Sequence, residues 1–138
     1  MQQYALFAGP RLPTVVNTDW STALIGDASH PLSGAFGAGA GFALEDAYVL
    51  AQSLFWADTE NKSLSEALRL FDNVRSPHYK SLYGVLDEFA AVEKTLQNLH
   101  LGYDDEVAFR VDRTWSHKHN WIYHYDVSCP PLCRPNPL

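Results

Sequence analysis

The chain has 138 residues, of which 46% are hydrophobic and 13% aromatic, enough to bury the core of one domain. Its formal net charge of −6 argues against nucleic acid as the main partner, because phosphate binding needs clustered Lys and Arg. No apolar run approaches the roughly 20 residues that a membrane span requires, and the N-terminus lacks the pattern of a signal peptide.

The first predicted element is a strand at the short apolar run Ala23-Leu24-Ile25, which ends at Gly26 and is typical of a buried strand in a layered α/β domain. Residues 1–20 are predicted to be irregular or extended. From 27 to about 38, glycine and proline are too frequent for periodic structure. A helix is then predicted from about Gly39 to Ala57, on apolar residues at helical spacing: Leu44, Ala47, Tyr48, Ala51, Leu54 and Phe55.

Two further helical stripes follow. Ser63 and Glu66 have the spacing of a capping box, and the helix that they open is predicted to end or kink at Pro77. Its apolar face comprises Leu64, Ala67, Leu68, Phe71 and Val74. The next stripe comprises Tyr79, Leu82, Tyr83, Leu86, Phe89 and Ala90. Residues 103–126 are predicted to be partly helical, and the proline-rich residues 127–138 an irregular tail.

The order of strand, glycine-rich loop and helix N-terminus indicates a binding site. A first helical turn presents unpaired N–H groups and a partial positive charge, and glycines at 37, 39 and 41 let a flat or anionic ligand reach the backbone. Asp27 lies where the predicted strand ends, and its carboxylate can accept hydrogen bonds from sugar hydroxyls. These residues favour a nucleotide-like cofactor. The alternatives are that Asp27 only caps the following turn and that the loop binds no ligand.

The stretch is neither of two common phosphate-binding motifs. No Gly-Lys-Ser/Thr follows, so it is not a Walker A loop. The glycines run G-x-x-G-x-G-x-G, and Phe42 occupies the place of the last glycine of G-x-G-x-x-G.

The segment "GDASH…GAGAGFALEDAYVLAQSL" resembles the second flavin-binding motif of the FAD-dependent aromatic hydroxylases, the family of salicylate hydroxylase and p-hydroxybenzoate hydroxylase. On either side, "QYALFAGPRLPTVV", "LRLFDNVRSPHYK" and "WIYHYD" resemble segments of fungal salicylate-hydroxylase-like members. The resemblance covers most of residues 3–126. It implies a FAD/NAD(P)-binding α/β fold of the p-hydroxybenzoate hydroxylase kind, here as a predominantly helical fragment.

The resemblance also implies a function. The chain is expected to contribute to a flavoprotein monooxygenase that hydroxylates an aromatic or polyketide-like substrate with O2 and NADH or NADPH, within fungal secondary metabolism. Asp27 would hydrogen-bond the ribityl or ribose hydroxyls of FAD, and Gly37, Gly39 and Ala40 would lie at the isoalloxazine end. The resemblance assigns no catalytic residue.

The sequence departs from the family pattern in several places. Gly34, Ala35 and Phe36 stand where the family has Pro and often His-Gln, and His78 replaces a common Arg. The family's G-x-G-x-x-G unit, its D-G motif and its substrate-binding sheet have no counterpart in residues 1–138, which are therefore expected to be a truncated C-terminal part. Alone, the chain is expected to be inactive. A second chain could complete the flavin site, or the chain could be a non-catalytic remnant or docking module.

Other polar residues give weaker indications of function. Asp27, Ser29 and His30 are too close in sequence to converge as a hydrolytic triad. Glu45 and Asp46 are predicted to lie in the first turns of a helix for electrostatic reasons alone. The remaining candidates for metal ligands are His117, His119, His124, Cys129 and Cys133. Their spacing fits no structural zinc pattern, and the two cysteines give no disulfide framework. With so few cysteines, a reducing, cytoplasmic compartment is favoured.

Overall fold

The computed structural model describes residues 10–32 and 37–114. Within these ranges the chain forms a two-stranded sheet, a short 3₁₀ turn and three α-helices. The prediction of a mainly helical chain with one or two short strands is confirmed. The cysteines, the histidines from His117 onward, Trp115 and the predicted tail lie outside the described residues.

The two strands form a hairpin. Strand β1 (Val16–Asn17) pairs antiparallel with β2 (Thr22–Ala23). The prediction of a buried strand at the apolar run is therefore wrong: only Ala23 lies in a strand, Ala23 and Leu24 are half-buried, and Ile25 is 41% exposed. The reason is local: the polar segment between the strands closes a tight turn, in which the Trp20 N–H donates to Oδ1 of Asn17 over 3.0 Å. The chain thus pairs with its own preceding residues.

Helix α1 runs from Gly39 to Thr59, so its predicted start is confirmed. It carries apolar residues on both faces. The apolar stripe that predicted the helix lies largely outward, with Leu44 73% and Phe55 67% exposed. The buried face instead carries Phe42, Asp46, Val49, Ser53 and Ala57.

Helix α2 spans Leu64–Leu99 and begins at the predicted capping box. The Ser63 N–H donates to Oε2 of Glu66 over 2.9 Å, and the Glu66 N–H donates to Oγ of Ser63 over 3.2 Å. Of the two alternatives predicted for Pro77, an end or a kink, the end is wrong, because α2 continues through this residue. Proline removes one intrahelical hydrogen bond, but Arg75 and Tyr79 bracket it, and both bond to one buried carboxylate on α1.

The chain divides into two compact units. The first unit includes the chain up to Tyr79. In it the Val15 N–H joins the hairpin to α2, because it donates to Oδ1 of Asp72 over 2.9 Å. In the second, which begins at Lys80, the rest of α2 is followed by α3 (Tyr103–Thr114), so the predicted helix in 103–126 is confirmed over these residues.

Candidate functional site

The centre of the first unit is the carboxylate of Asp46, which is fully buried. Its Oδ1 accepts from Nε of Arg75 over 2.8 Å and from the hydroxyl of Tyr79 over 2.5 Å. Its Oδ2 accepts from the backbone N–H of Gly26 over 2.8 Å and contacts Nε2 of His30 at 2.8 Å. Four donors therefore satisfy the carboxylate from two directions, two from α2 and two from the loop after the hairpin.

These partners keep Asp46 ionised. Burial alone would raise its pKa, but the hydrogen bonds from His30, Tyr79 and Gly26, with the charge of Arg75, together lower the pKa below its ordinary value. Because an ionised carboxylate only accepts, Nε2 of His30 carries the proton in this contact. Burial would likewise lower the pKa of Arg75, and the charge of Asp46 raises it instead.

Arg75 is held by a second carboxylate and by aromatic rings. Its Nη1 lies 2.9 Å from Oε2 of Glu45, and its guanidinium lies 5.7 Å from the centre of the Phe42 ring. Phe42 also stacks on His78 at 4.9 Å and meets His30 edge-on at 5.6 Å. The charged groups are thus enclosed by rings, which keep water away from them and strengthen their attraction.

The loop held by Asp46 begins with a 3₁₀ turn, Gly26–Ala28. Gly26 has a φ of +59°, a left-handed conformation that favours glycine. Its carbonyl accepts the N–H groups of Ser29 and His30 over 2.9 and 3.0 Å, and the Ser29 hydroxyl over 2.8 Å. Both backbone polar groups of Gly26, the residue directly before Asp27, are therefore hydrogen-bonded inside the unit.

Asp27 is exposed and lies at the start of α1. Its Oδ1 is 3.8 Å from the position that a Cβ would take on Gly39. Among the described residues its carboxylate makes no hydrogen bond or ion pair, so it caps no turn there. Gly37, with a φ of +63°, and Ala40 are also exposed. The structure thus brings Asp27 and Gly39 together, and the sequence neighbours of Gly39, Gly37 and Ala40, are exposed.

The first turn of α1 has donors to offer a ligand. Its N-cap is Ala38, which has no side chain able to accept a hydrogen bond, and its first turn contains no acidic residue. The first N–H groups of a helix have no intrahelical acceptor. An exposed carboxylate that can accept from hydroxyls and a helix N-terminus that can donate to an oxygen thus lie side by side.

Comparison with known proteins identifies the chain's relatives. A salicylate hydroxylase from Pseudomonas putida is 34% identical over 124 residues, which are 90% of this chain and 27% of that protein. FAD-dependent monooxygenase SAT7 from Stachybotrys chartarum is 34% identical over 105 residues, which are 75% of this chain and 22% of that protein. A further salicylate hydroxylase from Pseudomonas putida is 35% identical over 104 residues, 68% of this chain.

The chain is a relative of the salicylate-hydroxylase-like FAD monooxygenases. The resemblance seen in the flavin motif is thereby confirmed, over about a quarter of the length of these proteins. No family model and no solved structure matches the chain. No helix in the described part is long and apolar enough to cross a membrane. Nor do residues 10–32 and 37–114 contain a group of three or more His, Cys, Asp or Glu that could hold a metal ion.

Sequence reasoning missed the central group of this monooxygenase relative. The prediction that Glu45 and Asp46 lie in the first turns of the helix for electrostatic reasons alone is wrong in its reason for Asp46, which lies beyond the first turn of α1. Asp46 is instead the buried centre of the first unit. One signal was present: Asp46 falls between Phe42 and Val49 at helical spacing, on the face that is buried. Rejecting the triad was sound for Asp27, which does not bond His30.

The Tyr79 hydroxyl gives a prediction for alkaline pH. Burial and the hydrogen bond to Asp46 raise its pKa above the ordinary value of 10.0. A raised pKa stabilises the fold fully below the unfolded value and loses that stabilisation as the pH rises beyond it. We therefore expect the free energy of unfolding to fall above pH 10 and to fall less in Tyr79→Phe. Urea titrations at several pH values above 10 measure this free energy, and Tyr103→Phe, at an exposed position, is the control. An equal fall of the free energy with pH in Tyr79→Phe and in wild type would contradict the prediction.

Proposed function

We propose that the chain forms the flavin-proximal part of the FAD site of an aromatic monooxygenase. The observation that supports this most is the exposed Asp27 carboxylate, without a partner among the described residues, beside Gly39 at the N-terminus of α1. It lies in the segment that resembles the family's flavin motif. The printed functions of the relatives, salicylate hydroxylase and FAD-dependent monooxygenase, give the reaction class.

In this proposal Asp27 accepts hydrogen bonds from the ribityl or ribose hydroxyls of FAD. Gly37, Gly39 and Ala40 let the isoalloxazine ring approach the backbone, since none carries a side chain beyond Cβ. The N–H groups of the first turn of α1 face a ring oxygen and favour negative charge on the reduced ring. The bound flavin supplies the redox and oxygen chemistry, and the protein supplies position and charge.

The complete reaction belongs to the same proposal. It is hydroxylation of an aromatic or polyketide-like substrate by O2, with NADH or NADPH as the reductant, as a cytoplasmic step of fungal secondary metabolism. The chain matches 22–27% of the length of two relatives. We propose that it corresponds to a C-terminal part, and that the ADP half of FAD and the substrate are bound by residues outside this sequence, on a second chain if necessary. Without them we expect no NAD(P)H oxidation.

A second candidate is a docking module without flavin turnover. The outward face of α1, where Leu44 and Phe55 are largely exposed, supports it. Apolar surface of this kind marks association sites. In that case the glycine loop would be retained for its fold alone, and Asp27 would bind no ligand.

Binding of flavin fragments separates the two candidates. With Asp27 on a ribityl hydroxyl, the contacts of this chain involve only the ring and the ribityl chain, and we then expect FMN and FAD to bind with the same affinity, within about threefold, and ADP not to compete. Fluorescence anisotropy of FMN and FAD, with ADP as competitor, measures this. Absence of binding by either flavin favours the docking module. Displacement by ADP, or much tighter binding of FAD than of FMN, contradicts the assignment to the flavin end.

A further inference from the structure

We propose that Asp46 is a positioning residue for the flavin-proximal site: its buried carboxylate sets where Asp27 is presented. This inference rests on the proposed function for its ligand, but the anchoring itself can be measured without any flavin. It assigns a role to a residue that is fully buried and accepts the N–H of Gly26, the residue directly before Asp27.

The anchor is a single backbone hydrogen bond. Oδ2 of Asp46 accepts the Gly26 N–H over 2.8 Å, and Gly26 is the residue directly before Asp27. A hydrogen bond to an ionised acceptor is shorter and stronger than a neutral one. Because Gly26 adopts a φ of +59°, its amide orientation decides the direction in which the chain leaves toward Asp27.

The anchor does not depend on Gly26 alone. His30, four residues further on, binds the same Oδ2 at 2.8 Å, so the loop is gripped at both ends of its first turn. The Gly26 carbonyl accepts from the backbone of both Ser29 and His30. With these ends held, the intervening Asp27 has little freedom except in its own side chain, which lies beside Gly39.

The other half of the network holds Asp46 itself. Arg75 and Tyr79 both bond Oδ1, and the two residues lie one helical turn apart on α2. They neutralise and orient the carboxylate, so that its second oxygen faces the loop. In this proposal α2 therefore fixes the position of Asp27 against the start of α1, and it does so through the single carboxylate of Asp46. Such outer groups that orient a binding residue are what keep a site preorganised.

The chain offers a matched pair of variants. Asp46→Asn keeps the shape of the side chain but removes the charge and half of its accepting capacity. Glu45→Gln makes the same chemical change one residue earlier, on a carboxylate that pairs with Arg75 at 2.9 Å and has no bond to the described loop residues 26–32. Both variants weaken a buried ion pair, so a general loss of stability affects both. Only Asp46→Asn alters the anchor of Gly26.

Two readouts are expected to differ between them. In wild type the Gly26 amide should exchange with deuterium slowly; in Asp46→Asn its exchange should be at least tenfold faster, and FMN affinity at least tenfold weaker. In Glu45→Gln both values should stay within threefold of wild type. Rapid Gly26 exchange in wild type, or equal effects of the two variants at equal stability, would overturn the proposal.

Gly26→Ala supplies the flavin readout if Asp46→Asn does not fold. A Cβ there meets only Ala43 at 3.5 Å, an ordinary contact, but the left-handed φ becomes unfavourable. We expect FMN affinity to fall at least tenfold while the amides of Arg75 and Tyr79 keep their protection; unchanged affinity would contradict the positioning role. If wild type binds no flavin, the proposed function fails, whereas the exchange of Gly26 still decides whether Asp46 anchors the loop.

Discussion

Replacing Arg75 with methionine is expected to lower the free energy of unfolding by about 3–5 kcal/mol, the cost of removing one partner from a buried ion pair. The Arg75 side chain is fully buried and serves two carboxylates, Asp46 at 2.8 Å and Glu45 at 2.9 Å. Methionine fills much of the volume but leaves Asp46 without its counter-charge in a low-dielectric surrounding. Urea denaturation followed by circular dichroism measures the change.

The control for this experiment is Arg69→Met on the same helix. Arg69 is exposed, and a surface substitution of this kind is expected to change stability by no more than about 0.5 kcal/mol. If Arg75→Met cost no more than Arg69→Met, the network around Asp46 would not be a principal support of the first unit.

Replacing Asp27 with alanine is expected to weaken FMN binding by a factor of roughly 10 to 100. One hydrogen bond to a charged group contributes about 1.5–3 kcal/mol, which corresponds to that range of affinity. Asp27 is exposed and has no hydrogen-bond partner in the described part of the chain, so its removal should leave stability nearly unchanged. Isothermal titration with FMN and a urea titration measure the two quantities on the same sample.

Asp19→Ala is the matched control. Asp19 is an exposed carboxylate in the hairpin, so this substitution removes the same unit of negative charge. Equal weakening in both variants would mean that only overall charge matters. Asp46→Ala does not serve as a control, because the Asp46 side chain is fully buried and accepts the Gly26 N–H.

The helices could be predicted because their signals are local. Apolar spacing predicted α1 from about Gly39, where it begins, and the Ser63–Glu66 pair marked the start of α2. Both signals depend on residues within two or three turns of one another.

The buried network could not be predicted because its members are far apart in sequence. Asp46 meets Gly26 twenty residues before it and Tyr79 thirty-three residues after it. Periodicity also misjudged the buried face of α1, since the more apolar stripe, with Leu44, lies outward while a charge lies inward. Pro77 does not end the helix for a related reason: Arg75 and Tyr79, on either side of it, bond to another helix and compensate the local loss of one hydrogen bond.

The most direct test of a flavin-proximal site is the location of bound FMN on the isotopically labelled chain. Backbone amide shifts measured during an FMN titration should change most at Asp27, Gly37, Gly39 and Ala40, and these changes should disappear in Asp27→Ala but persist in Asp19→Ala. Shifts concentrated in the hairpin or in α3, or no shift at the start of α1 at saturating FMN, would contradict the account.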